Sequence, residues 1–103
     1  MSHYILSFAI GSSQNYSSVY SSLIDQVKKV SEKHEWDETT SFIAFESSLS
    51  TIQLGAKLFL ETEINSVHDK FVLINTSTHE YYAIGHKYPA LLKGALGMTQ
   101  VNP

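Results

Sequence analysis

Four consecutive apolar residues, Phe71, Val72, Leu73 and Ile74, sit between Lys70 and Thr76 and constrain this chain more than any other stretch. A run that short, rich in β-branched and aromatic residues, fits a buried strand better than a helix. Ser77–Glu80 then offers a short polar turn, and Tyr81–Gly85 a second strand, so the pair predicts a β-hairpin. Both need a packed layer against them, which must come from the rest of a 103-residue chain.

Tyr4–Ile10 supplies another strand. Tyr4, Leu6, Phe8 and Ile10 fall on one face, and Ile5, Ser7 and Ala9 on the other, as the two-residue period of a strand requires. Gly11–Asn15 breaks the pattern with turn residues. From Tyr16 the period changes. Tyr16, Val19, Tyr20, Leu23, Val27 and Val30 recur at steps of three and four, one stripe of an amphipathic helix that fades near His34. Asn15 is placed to cap its start. Trp36–Thr40 reads as a short edge strand or turn, and Phe42–Phe45 as a buried strand. A second helix follows, with Ile52, Ala56, Phe59, Leu60 and Ile64 assigned to its apolar side and Ser50 or Thr51 as its cap. Ala90–Leu96 reads as a short helix weakened by Gly94, and the segment from Met98 as a mobile tail.

The expected domain therefore spans residues 1–97, with 98–103 as the tail. Strand, helix, strand, strand, helix, strand is the α+β, ferredoxin-like βαββαβ plan, here with an additional C-terminal hairpin strand. Two helices on one side of the sheet leave the other face uncovered, and its apolar residues then need a partner.

Composition narrows the function classes. With no cysteine, neither a disulfide framework nor a thiolate metal site is available. No apolar stretch approaches the roughly 20 residues of a membrane helix, and no basic region precedes Tyr4–Ile10 as in a signal peptide. The expected setting is cytoplasmic, with no membrane partner. The formal charge is −3, and all seven basic residues are lysines. Arginine, whose planar fork suits phosphate and guanine, is absent. Lys28, Lys29 and Lys33 cluster, but Asp25, Glu32, Glu35, Asp37 and Glu38 surround them. Nucleic-acid binding by the monomer is disfavoured.

Strand order and three stretches together resemble the small CRISPR-associated endoribonuclease-like subunit that assists spacer integration, and its uncharacterised relatives. The stretches are Tyr4–Ile10, Trp36–Phe45 and Lys70–Thr76 with Tyr81–Gly85. The resemblance implies a dimer packed sheet against sheet. It also implies an aspartate at the end of the first strand that holds a divalent metal. At that position this chain has Ala9, and Ser7 and Ile10 beside it bring no carboxylate. A methyl group cannot ligate a hard cation, so the expectation is a member without that metal-dependent site.

Candidate sites are few. Ser12, Ser13 and Asn15 open the first helix, and Ser48, Ser50 and Thr51 the second; both starts could take a small anion, or could simply cap. No G-x-x-x-x-G-K-[ST] motif is present. His3, His34, His68, His79 and His86 show neither metal-ligand spacing nor a recognisable relation to a serine nucleophile. Glu61 and Glu63 cannot share a helix face. Tyr81, Tyr82 and Tyr88 form an aromatic group near the terminal strand, and with Ile84 and His86 they are the candidates for a protein interface. The expectation is a non-catalytic, homodimeric interaction or regulatory module with no catalytic residues, metal or cofactor, which also binds another protein. The alternatives are a metal-dependent endonuclease using Glu46 or Asp37 across a dimer, and a small-anion or nucleotide sensor.

Overall fold

The computed structural model describes residues 1–11 and 15–102. In chain order the elements are β1 (Ser2–Ala9), α1 (Tyr16–Val30), β2 (Lys33–Trp36), β3 (Phe42–Ser47), α2 (Thr51–Leu60), β4 (Lys70–Asn75), β5 (Glu80–Ile84), α3 (Pro89–Leu96) and β6 (Thr99–Gln100). They form a small α+β domain around one mixed sheet of order β2-β3-β1-β4-β5-β6. Every neighbouring pair is antiparallel except β5 and β6, which run parallel.

β1 lies at the centre because its alternation is the most complete. Tyr4, Leu6 and Phe8 are buried on one face, where Ile43 and Phe45 of β3, Phe71 and Leu73 of β4, and Tyr82 and Ile84 of β5 join them. Val19, Leu23, Val27 and Val30 of α1 and Leu54 and Leu58 of α2 close over this layer. Removing a leucine of this kind from water contributes roughly 1.5–3 kcal/mol, so the two helices hold chiefly through these stripes.

Several elements differ from the sequence expectation. α1 ends at Val30, and the extended Ser31 starts a turn into β2, which begins three residues before Trp36–Thr40 would. Tyr16, assigned to the buried stripe, is half exposed and stacks on Tyr20. α2 is rotated: Ile52 and Leu60 face solvent, while Thr51, Leu54, Gly55 and Leu58 are inside. Gly55 explains the rotation. It lies against the Tyr82 ring, where any Cβ would overlap Cγ and both Cδ atoms, so the bare backbone seats the aromatic side chain of β5.

The hairpin of β4 and β5 forms with Asn75 opposite Glu80. Beyond it the chain crosses through α3 and returns as β6, for which the sequence reading had no strand. The Val101 N–H donates to the Tyr81 carbonyl at 2.9 Å, and the Asn102 carboxamide bonds both the N–H (3.0 Å) and the carbonyl (2.7 Å) of Ala83. The strand period gives the sheet a second face, opposite α1 and α2; α3 itself has no buried residue, and its Pro89 and Leu92 line one cleft with Phe59 of α2. Tyr81 and Ala83 point to that second face and are buried, although the core layer excludes them. Among the described residues, no helix is long and apolar enough to cross a membrane.

Candidate functional site: the open sheet face

Among the described residues, the second face of β2, β3, β1 and β4 carries no helix. Alternation places His3, Ile5, Ser7 and Ala9 of β1 there, with Phe42, Ala44 and Glu46 of β3 and Lys70, Val72 and Ile74 of β4. Register brings them together: Ile5 lies opposite both Ala44 and Ile74, and Ser7 opposite both Phe42 and Val72. Trp36 of β2 pairs with Ala44 and meets the Phe42 ring edge-on, at 6.1 Å between centroids. Trp36 remains 40% exposed and Phe42 37%. A tryptophan, a phenylalanine and three half-buried aliphatic residues, Ile5, Val72 and Ile74, thus form one apolar surface on the middle strands. Contiguous apolar surface of this kind marks interaction sites more often than scattered single residues do.

Charge stands at the two ends of this surface and at its outer edge, where the Trp36 indole N–H donates to Glu38. At one end, Glu46 faces His34 Nδ1 with one oxygen and His3 Nε2, at 3.8 Å, with the other. The hydrogen bond from His34 holds the Glu46 carboxyl below its usual range, with His3 and Lys33 acting in the same direction. β2 is irregular between Lys33 and Trp36, and His34 takes a left-handed φ of 53° there. That conformation is uncommon for a residue with a side chain. At the other end, Lys70 stands opposite Ala9 and forms no ion pair among the described residues.

The residues singled out from the sequence are dispersed. Ser12 and Ser13 lie outside the described residues. Asn15 occupies the N-cap of α1, but only its carbonyl is used, accepting from the Val19 N–H at 2.9 Å. Ser50 caps α2 in a capping box with Gln53. Thr51 is buried, receiving the Asn75 carboxamide at 3.0 Å and donating to Glu80 at 2.9 Å. The Ser48 N–H donates to Glu32, so the hydrogen bonds at the second helix start are met by the protein itself. Tyr81, Tyr82 and Ile84 are buried inside the domain, and Tyr82 stacks on Phe71. His86 bonds the Phe71 carbonyl through Nε2 at 2.9 Å. Tyr88 is the exposed member of that group, with Lys87 over its ring. Tyr81, Tyr82, Ile84 and His86 share a cleft of about 400 Å³ with Leu92 and Asn102, along the edge of β5.

Glu46 and Asp37 do not converge with other acids. Among the described residues, no group of three His, Cys, Asp or Glu side chains is placed to hold a metal ion. Ala9 is the last residue of β1. Sequence reasoning missed the pairing of Trp36 with Phe42, the signal for which was a lone tryptophan next to an edge strand. Compared with known proteins, the chain matches no family model, no curated protein and no solved structure.

Proposed function

We propose that this domain is a non-catalytic interaction module that forms a homodimer through its open sheet face. The observation that carries the reading is the apolar surface of Ile5, Trp36, Phe42, Val72 and Ile74, bounded at one end by the Glu46 carboxylate with His3, His34 and Lys33 around it, and at the other by Lys70. A surface with its charges at opposite ends is self-complementary under a twofold rotation, and a second copy of the chain therefore fits it. The order β2-β3-β1-β4 with both crossover helices on one face supports a ferredoxin-like plan, to which β5 and β6 add. The same reading takes the chain as a relative of the CRISPR-associated subunits with Ala9 in place of their aspartate, and gives it a role in binding another protein once dimeric.

Sedimentation equilibrium of the full chain at micromolar concentration tests the dimer. A dimer that Trp36→Ser and Phe42→Ser each weaken, with little change in melting temperature, is the expected result. A monomer up to about 100 μM, where weak complexes of about −5.5 kcal/mol would half-form, overturns it.

A further inference from the structure

Glu46 and Lys70 occupy equivalent places at the two ends of the open face. Glu46 lies opposite His3 on one neighbour of β1, and Lys70 lies opposite Ala9 on its other neighbour. Leu6 is midway between His3 and Ala9. Seen from above, the two charges are thus related by inversion through the middle of β1. A twofold axis lying in the plane between two such faces, at right angles to the line joining Glu46 and Lys70, exchanges them.

We propose that an ion pair between Glu46 of one copy and Lys70 of the other fixes the orientation of the dimer, an inference that rests on the homodimer reading above. Sheets packed face to face align within about 30° of each other and lie about 10 Å apart. With strands antiparallel at that angle, the Glu46 position of each sheet comes over the Lys70 position of the other. Two long side chains bridge the remaining gap at both ends of the interface. Rotation about the strand direction would instead bring Glu46 over the end of β4 at Thr76, leaving both charges without an opposite. The charges therefore select one arrangement among those that the apolar residues alone would allow.

The groups around each charge fit this role. Glu46 is oriented by His34 and His3, and Lys33 is its register partner on the exposed edge. Lys70 has no competing acid among the described residues. Between the two ends the middle strands offer Ile5, Phe42, Ala44, Val72 and Ile74, with the polar Ser7 among them.

The test is a charge exchange followed by sedimentation equilibrium at pH 7.5 and low salt. Glu46→Lys and Lys70→Glu are each expected to weaken dimerisation about tenfold or more, because like charges then oppose each other. The double variant restores opposite charges and is expected to return to within about threefold of the parent. The neutral variants Glu46→Gln and Lys70→Gln, which introduce no repulsion, are expected to weaken the dimer and remove most of its salt dependence. A double variant no tighter than the weaker single, with melting temperatures showing all variants folded, overturns the ion pair while the homodimer stands. A monomeric parent overturns both.

Discussion

Asp69 Oδ1 accepts the Gly11 N–H at 2.8 Å, tying the exit of β1 to the loop that leads into β4. Its other oxygen accepts the Asn65 N–H at 2.9 Å, and the side chain is almost wholly buried. Removing the carboxylate leaves two backbone donors without a partner, and hydrogen bonds to a charged group contribute about 1.5–3 kcal/mol each. Asp69→Ala is expected to destabilise the domain by about 2–4 kcal/mol. Asp69→Asn keeps one acceptor and should lose roughly half as much. Urea denaturation of the two variants measures both values; equal losses would mean that only one of the bonds matters.

Gly55 presents bare helix backbone to the ring of Tyr82. Alanine in an exposed helix would be favourable by up to about 1 kcal/mol. Here the added methyl overlaps the base of a ring held in the core, so Gly55→Ala is expected to cost about 1–3 kcal/mol instead. Thermal denaturation decides the sign. The companion variant Gly55→Ala with Tyr82→Leu should recover part of the loss, because the smaller side chain vacates the space.

The Glu46 carboxyl titrates below its ordinary value of 4.5 through its hydrogen bond with His34, and Glu32 does so through Ser48. In both cases the folded state holds the proton less tightly than the unfolded chain. Their contribution is therefore present above pH 4.5 and is lost as pH falls through the lower folded values. Melting temperature measured from pH 6 down to pH 3 should fall more steeply for the parent than for Glu46→Gln with Glu32→Gln. Parallel curves would show that neither group responds to folding.

The Asn102 carboxamide takes the place of a backbone pair at the outer edge of β5. Asn102→Ala is expected to cost about 1–2 kcal/mol, two hydrogen bonds at roughly 0.5–1.5 kcal/mol each with partial replacement by water. Hydrogen exchange gives the sharper readout: the Ala83 amide should lose protection while the Val101 amide, bonded to Tyr81, keeps most of its own.

The helices and inner strands were legible because each carried a long periodic pattern. Tyr4, Leu6 and Phe8 alternated cleanly, and Val19, Leu23, Val27 and Val30 marked α1. β2 was misplaced because Lys33–Trp36 has no apolar alternation of its own; its position comes from pairing with β3. The face of α2 was misassigned because Ile52 and Leu60 look like core residues, whereas the seat for Tyr82 requires Gly55, which carries no hydrophobic signal. β6 was invisible at two residues in length, with polar side chains that act through the β5 edge.

At the site, the uncovered face followed from the expected layering. The Glu46 cluster did not. His3, His34 and Glu46 are far apart in sequence and meet only because β1 and β2 both pair with β3. Tyr81, Tyr82 and Ile84 were assigned to an interface on composition, but β5 lies inside the sheet between β4 and β6 and all three are buried within the domain.

The central position of β1 bears on how the chain is made. Its two neighbours, β3 and β4, are translated long after it, and β4 is complete only at Asn75. At synthesis rates of about 5–20 residues per second, the most apolar strand alternation in the chain waits several seconds with both backbone edges unpaired. During that interval α1 is the first element that can fold against Leu6 and Phe8 and shield them. Weakening α1 should therefore lower the yield of soluble protein in the cell by more than its equilibrium stability alone would dictate, an effect that slower translation would magnify.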